Sequence, residues 1–241
     1  MTSASKQQAL ITGASSGIGR ATALAFAKAG INTALVGRSE AKLEAVAQGV
    51  RQAGAKAWVY PLDLAQVEQV QERVGAIAAD LGPLDILVNN AGMGYTAELI
   101  ETPLADWQSV LNLNLTSAFQ CLQALLPGMR AQQRGTIVNV ISVAGRQAFA
   151  GWGAYCASKF GLMGLSKALA AEERPHGIRV VALCPGAVDT PLWESDTVHL
   201  DFDRAAMLSA ESVAQTILHS VLLPPEAVIE ELVLMPSGGT L

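Results

Sequence analysis

Short runs rich in Val, Ile and Leu alternate along the chain with longer segments that repeat apolar residues at helical spacing. The first run, at residues 9–12, leads through a glycine-rich turn into an amphipathic stretch at 18–29, which Gly30 closes as a C-cap. This alternation predicts βαβ units on a parallel sheet. Further strands are predicted at 31–36, 57–60, 84–88, 136–141, 178–183 and 231–235.

Longer segments of helical period separate these strands. They lie at 40–52, 67–81, 106–132 with a break near Pro127, 154–173 and 212–222. Periodicity is lost at 185–209, so we expect a binding loop with at most one short helix, and we assign 186–209 to the substrate. The predicted fold class is α/β. Residues 1–241 are expected to form a single doubly wound Rossmann domain, with about seven parallel strands and helices on both faces.

Composition and charge narrow the classes of partner. Hydrophobic residues make up 51% of the 241 positions and the formal net charge is −5, so the chain can bury a large core but offers no basic field to a phosphate backbone or an anionic lipid. Nucleic acid and membrane are therefore not expected as partners. The cysteines lie far apart and no secretory leader is recognisable, which favours a cytoplasmic location. They are Cys121, Cys156 and Cys184.

A glycine cluster follows the first predicted strand, at the place where a doubly wound sheet binds a dinucleotide. Glycine permits the tight turn and lets a pyrophosphate approach the amides at the positive end of the next helix. No Gly-Lys-Ser/Thr follows, which disfavours hydrolysis of a nucleoside triphosphate. A plain structural turn is the alternative interpretation. The candidate cofactor residues are Gly13, Ser15, Ser16, Gly17, Ile18 and Gly19.

The end of the second predicted strand indicates the type of nicotinamide cofactor. An acid there binds the ribose 2′-hydroxyl, whereas an arginine accepts a 2′-phosphate. Arg38 and Ser39 stand at this position with no acid before them, which favours NADP(H); the alternative is that Arg38 is a solvated turn residue near the start of a helix. After the third strand, Asp63, next to Leu64, could accept from the adenine amino group or cap the following helix.

Tyr155 and Lys159 are four residues apart in a predicted helix and therefore share one face. A nearby ammonium favours the phenolate and would turn the tyrosine into a proton donor and acceptor. Ser142 lies just past the fifth strand, at the same edge of the sheet, and can donate to the same carbonyl oxygen. The alternative is a packed aromatic beside a lysine stem.

At these positions the sequence resembles the short-chain dehydrogenase/reductase family. The resemblance covers the residues just named together with Asn114, Asn89 to Gly92 and the Pro185-Gly186 pair with Thr190. It implies that Tyr155 is the general acid/base, that Ser142 orients the carbonyl, and that Lys159 lowers the tyrosine pKa and holds the nicotinamide ribose. It further implies that Asn114 anchors a water in a proton relay. The cofactor contacts it adds are Asn90, Ala91, Gly92, Pro185, Gly186, Val188 and Thr190.

Further candidates concern the substrate. Trp152 and Trp193 flank the tyrosine and the irregular segment, so they are expected to be pocket walls or interface aromatics. Cys156 is expected to be a packed thiol, because helix neighbours point about 100° apart. His176, His199 and His219 lack metal-ligand spacing, and no metal is expected.

The sequence thus predicts hydride transfer between NADP(H) and a small carbonyl or alcohol. The alternative is a non-catalytic NADP(H)-binding regulator on the same fold. Small 3-hydroxy or 3-keto acids, or varied carbonyl compounds, are the expected substrates, and the resemblance tilts the prediction away from the ketoacyl-carrier-protein reductases. It also implies a homodimer or homotetramer built on the long helices.

Overall fold

A computed structural model describes residues 6–199 and 203–238. Within these residues seven parallel strands form one sheet in the order β3-β2-β1-β4-β5-β6-β7. The strands agree with the prediction to within two residues at each end. They are β1 (Gln8–Thr12), β2 (Asn32–Gly37), β3 (Ala57–Pro61), β4 (Ile86–Asn89), β5 (Gly135–Val140), β6 (Ile178–Pro185) and β7 (Glu231–Leu234).

The strand order reverses at β1, which pairs with β2 on one side and with β4 on the other. Ile11 is in register with Leu35 of β2 and with Val88 of β4, and all three are fully buried. The connections that leave β1 and β4 therefore diverge to opposite faces and open a crevice at the carboxyl ends of these strands. Ligands of doubly wound sheets bind in such a crevice.

Helices cover both faces of the sheet. Apolar residues of α1, α2 and α7 pack on one face, and those of α3, α5 and α6 on the other. No helix among the described residues is long and apolar enough to cross a membrane. The helices are α1 (Gly17–Lys28), α2 (Glu40–Gln52), α3 (Val67–Leu81), α4 (Leu104–Leu111), α5 (Ser117–Gln132), α6 (Gly153–Glu173) and α7 (Ala210–Val221).

The predicted break near Pro127 is wrong. Pro127 lies inside α5, which continues to Gln132, because buried Leu125 and Met129 hold the helix against the core on either side of the proline. The irregularity lies earlier in the chain, where a π-helical turn at Asn112–Thr116 joins α4 to α5. Here the amide of Ser117 donates to the oxygen of Asn112, five residues back.

The segment after β6 is more structured than its sequence predicts. In place of at most one short helix, the described part contains two 3-10 turns, Pro191–Glu194 and Arg204–Ala206. Two short strands, Val188–Asp189 and Leu208–Ser209, pair in parallel and hold the ends of the segment together. Backbone pairing is invisible to side-chain periodicity when a strand has only two residues, which is why the prediction missed it.

Candidate active site

Thr12 connects the two loops that form the crevice. Its hydroxyl donates to the oxygen of Val88 at 3.2 Å and accepts from the amides of Asn90 and Ala91 at 2.9 and 3.0 Å. The side-chain amide of Asn90 donates in return to the oxygen of Thr12 at 2.9 Å. These bonds hold the ends of β1 and β4 at a fixed separation, so the walls of the crevice are preorganised.

Two glycines allow the close approach of backbone that shapes this turn. Gly13 has a φ of +65°, and a Cβ there would lie 2.9 Å from the Cα of Ala91. A Cβ on Gly19 would lie 2.4 Å from the oxygen of Gly13. Side chains at these positions would therefore force the turn apart, which favours the interpretation of the glycines as a cradle over that of a plain turn.

A cleft of about 510 Å³ runs from this turn to the carboxyl ends of β5 and β6. Nearly all of the candidate residues line it, but Gly19 packs beneath the turn and Asn114 lies behind the wall. The candidates that line the cleft are Gly13, Ser15, Ser16, Gly17, Ile18, Arg38, Ser39, Asp63, Leu64, Asn90, Ala91, Gly92, Ser142, Tyr155, Lys159, Pro185, Gly186, Val188 and Thr190.

Tyr155 and Lys159 lie on the face of α6 that borders the cleft, one helical turn apart. The Nζ atom of Lys159 is 5.6 Å from the centroid of the Tyr155 ring and donates to the oxygen of Val140 at 3.1 Å. The lysine is only 4% exposed, so its ammonium does not point into bulk water. The Ser142 side chain acts to lower the pKa of Tyr155, and its hydroxyl accepts from the amide of Ala144 at 3.1 Å.

Burial dominates the titration of this pair. It raises the pKa of Tyr155 to about 12, although the hydrogen bond from Ser142 acts in the opposite direction. It lowers the pKa of Lys159 to about 8, because the ammonium is desolvated. Burial therefore outweighs the lowering of the tyrosine pKa by its neighbours, and the lowering expected from Lys159 stays a prediction. The sequence shows that the two residues share a helix face but does not show how deeply the phenol is buried.

Asn114 lies in the π-helical turn and is 1% exposed. Its Oδ1 accepts from the amide of Met93 at 2.8 Å, and its Nδ2 donates to the oxygen of Met93 at 2.9 Å and to the hydroxyl of Ser158 at 3.0 Å. A Cβ on Gly92 would lie 3.2 Å from Asn114 Oδ1 and 3.6 Å from Lys159 Nζ. The asparagine thus lies beside the lysine, and its side chain fixes the loop after β4.

Both tryptophans singled out in the sequence line the same cleft as the hydroxyls of Ser142 and Tyr155. Trp152 contacts Tyr155 edge to face at 5.2 Å between ring centroids, and it contacts Trp193 in the same manner at 6.0 Å. The indole nitrogen of Trp193 donates to the oxygen of Val188 at 2.8 Å. Cys156 is buried behind this wall, as expected of a packed thiol.

The sequence matches the family model described as short chain dehydrogenase over residues 7–200. That match spans β1 to β6 with the glycine turn, Ser142, Tyr155 and Lys159. The chain belongs to the short chain dehydrogenase family.

Relatives of this short chain dehydrogenase include several reductases. The sepiapterin reductase of Chlorobaculum tepidum is 35% identical over 237 residues, which is 95% of this chain and 96% of that protein. The 3-oxoacyl-(acyl-carrier-protein) reductase of Thermotoga maritima is 38% identical over 185 residues, 77% of this chain and 75% of that protein. The alcohol dehydrogenase of the archaeon Thermococcus sibiricus, solved in complex with 5-hydroxy-NADP, superposes with a TM-score of 0.87 at 29% identity and covers 96% of this chain and 97% of its own.

One lining residue of this short chain dehydrogenase was missed by the sequence analysis. Lys42 lies in the first turn of α2 and borders the cleft beside Arg38, and both side chains are exposed. Ser39 begins this helix as its N-cap and accepts from the amide of Lys42. A cation in the first turn opposes the helix dipole, but Glu40 stands in the same turn and offsets it, so no local pattern in the sequence singles out Lys42.

Asp63 does not cap the helix that follows it. Its Oδ1 accepts from the amide of Ala65 at 3.1 Å, whereas the N-cap of α3 is Gln66, which makes no side-chain capping bond. The capping interpretation is therefore wrong, because the chain makes a tight turn before the helix begins. Asp63 borders the cleft, and its interpretation as an adenine contact stays a prediction.

Proposed function

We propose that the protein is an NADP(H)-dependent oxidoreductase that transfers a hydride between the nicotinamide and a carbonyl or alcohol. The observation that carries this proposal is that one cleft has cations at one end and hydroxyl groups at the other. Arg38 and Lys42 lie beyond β2, and the hydroxyls of Ser142 and Tyr155 lie beyond β5. Three strand spacings separate these ends, about 14 Å, which suits an extended dinucleotide.

The residues present fit such a cofactor. The glycine turn has no room for side chains where a pyrophosphate would approach the amides at the start of α1. The exposed guanidinium of Arg38 and the ammonium of Lys42 supply the charge that a 2′-phosphate needs. Lys159 borders the cleft where the nicotinamide ribose would lie, with Val188 and Thr190 on the other side. When bound, the nicotinamide supplies or accepts the hydride.

Tyr155 is the general acid in carbonyl reduction and the general base in alcohol oxidation. Its raised pKa keeps the phenol protonated at neutral pH, so that a proton is ready for the carbonyl oxygen as negative charge develops there. Ser142 donates a second hydrogen bond to the same oxygen and orients it. The charge of Lys159, 5.6 Å from the ring centroid, favours the phenolate that remains after proton transfer.

Asn114 takes part in the return of the proton to Tyr155. Both ends of its side-chain amide are already bonded to Met93 and Ser158, so a relay water would be held by its main-chain oxygen in the π-helical turn. Asn114 and Lys159 border the same space next to Gly92, where a Cβ would lie 3.2 Å from Asn114 Oδ1 and 3.6 Å from Lys159 Nζ, and this supports a water path from the asparagine to the lysine.

The test is a panel of ketones, aldehydes and alcohols assayed by nicotinamide absorbance with NADP(H) and with NAD(H). We expect turnover with a preference for NADP(H). Tyr155→Phe should lower kcat by about 1,000-fold or more while the dissociation constant for NADPH stays within about threefold, because only the proton donor is lost.

Tyr60→Phe is the matched control. It removes a hydroxyl that hydrogen-bonds Asp80 on the surface, outside the cleft, and should leave kcat unchanged. Full activity of Tyr155→Phe would refute the acid/base role. Tight NADPH binding without turnover of any compound would instead support the non-catalytic regulator, which the comparisons do not favour.

A further inference from the structure

The two ends of the cleft differ in charge. Arg38, Lys42 and Asp63 line the end beyond β2 and β3, whereas Lys159 is the one charged side chain that lines the other end among the described residues. The residues outside the described ranges contain no Lys, Arg or His and therefore add no side-chain cation to this end.

Lys159 is poorly placed to pair with an acidic substrate. Its Nζ is buried, lies 5.6 Å from the centroid of the Tyr155 ring and already donates to the oxygen of Val140. Two other cations lie on neighbouring loops, but each is engaged outside the cleft. Arg146 pairs with Glu231 at 3.1 Å, and Arg204 pairs with Asp189 and Glu194.

The walls at this end are apolar and aromatic. The rings of Trp152 and Trp193 meet edge to face, and the bond from the Trp193 indole to Val188 fixes the orientation of the outer ring. The other apolar side chains that line this end are Met93, Val143, Phe149 and Leu192. A planar ring beside the reacting carbonyl would therefore meet aromatic surface, with favourable edge and face contacts.

The segment after β6 closes this compartment against the loop after β4. The Thr197 hydroxyl donates to the oxygen of Gly94 at 2.7 Å, and the amide of Thr96 donates to the oxygen of Thr197 at 2.9 Å. A Cβ on Gly94 would lie 2.7 Å from Val198 and 3.0 Å from Leu192. The two loops therefore form one wall of this compartment, and a charged group placed against that wall would give up part of its hydration.

We propose that the substrate is an uncharged carbonyl compound with an aromatic ring next to the carbonyl, and that Trp193 determines this preference. This inference rests on the proposed function and narrows it. It runs against the 3-keto acids expected from the sequence, because a carboxylate at this end would lose its hydration and find no cation.

The proposed preference for an uncharged substrate is tested with two compounds that differ only in charge. The neutral ketone methyl 4-acetylbenzoate and the anion 4-acetylbenzoate share the same ring and carbonyl. With the wild-type protein and NADPH we expect kcat/KM for the ester to exceed that for the acid by about 100-fold or more. Leu192→Lys, which places an ammonium in the wall, should narrow this ratio by about tenfold.

The proposed role of Trp193 in the preference for an aromatic ring is tested with Trp193→Leu. Its control is Trp58→Leu, because Trp58 lies on β3 outside the cleft. We expect Trp193→Leu to lower kcat/KM for methyl 4-acetylbenzoate by about tenfold and that for the small aliphatic ketone ethyl 3-oxobutanoate by less than about threefold. The control should change neither value. NADPH binding, followed by fluorescence, shows that each variant is folded.

The outcomes separate this inference from the proposed function. Equal or faster turnover of the carboxylate, or equal losses on both ketones in Trp193→Leu, would overturn the inference and leave the oxidoreductase intact. A protein that binds NADPH and reduces none of the three compounds nor any in the wider panel would overturn both.

Discussion

The ammonium of Lys159 donates to the main-chain oxygen of Val140 at 3.1 Å, and only 4% of the lysine is exposed to solvent. One hydrogen bond to a neutral acceptor does not replace the hydration of a cation, which is why burial lowers the pKa of Lys159 to about 8. The buried lysine therefore lowers the free energy of unfolding, and it places a positive charge beside Tyr155.

This relationship predicts a pH dependence of stability. Between about pH 8 and the ordinary lysine value of 10.5 the unfolded chain binds this proton more tightly than the folded one, so Lys159 contributes a rise of the free energy of unfolding with pH there. The rise approaches about 1.4 kcal/mol per pH unit. In Lys159→Met it should disappear. Urea unfolding at pH 7 to 10, analysed by linear extrapolation, measures the slopes of the wild-type protein and of the variant, and equal slopes would contradict the assignment.

The raised pKa of Tyr155 predicts opposite pH profiles for the two reaction directions. Alcohol oxidation needs the phenolate, whose fraction rises tenfold per pH unit below a pKa of about 12. The logarithm of kcat/KM for oxidation should therefore rise with a slope near one from about pH 6 to 8. Carbonyl reduction needs the phenol and should stay level over that range. A level profile for oxidation would exclude Tyr155 as the base.

Arg38 and Lys42 predict how cofactor preference can be changed. Arg38→Gln should raise the dissociation constant of NADPH by about tenfold and leave that of NADH unchanged, because only the 2′-phosphate is affected. Lys42→Gln should have a smaller effect of the same kind, and added salt should reduce both. Lys28→Gln, in the last turn of α1 and outside the cleft, is the control. Equal weakening of NADH binding would show that the two side chains act elsewhere.

Two helical glycines give a matched test of the turn. A Cβ on Gly19 would meet the oxygen of Gly13 at 2.4 Å, whereas nothing lies within 4 Å of a Cβ on Gly75 in α3. Gly19→Ala should therefore lower the free energy of unfolding by about 2 kcal/mol or more and abolish NADPH binding. Gly75→Ala should raise it by about 0.5 to 1 kcal/mol. Thermal or urea unfolding measures both, and a neutral Gly19→Ala would contradict the close packing.

Much of the fold follows from the chain's periodicity. Residues 9–11 of β1 and 86–88 of β4 are uninterrupted apolar runs and fully buried, and the helices Glu40–Gln52 and Val67–Leu81 begin and end at the predicted residues. Periodicity fails where tertiary packing outweighs local preference, as at Pro127, whose helix the core holds together. Assembly into dimers or tetramers and a cytoplasmic location stay predictions.

In the candidate site, too, local sequence patterns predict some features, whereas others depend on tertiary packing. The spacing of Tyr155 and Lys159 places them on one helix face, and the position of Ser142 after a strand places it at the same edge. Burial is a property of the whole fold, so the directions of the two pKa shifts could not be predicted from spacing. The contact between Trp152 and Trp193 joins two distant loops, and no local pattern in the sequence indicates it.

The paired strands Val188–Asp189 and Leu208–Ser209 bring the two ends of the segment after β6 side by side. The attachment of this segment to the rest of the fold therefore does not depend on the residues between the two short strands. The entropy of closing such a loop changes only slowly with the length of the loop. Replacing the residues between the two short strands would therefore change substrate selectivity and leave the rest of the fold in place, as in other enzymes whose binding loops vary on a constant scaffold.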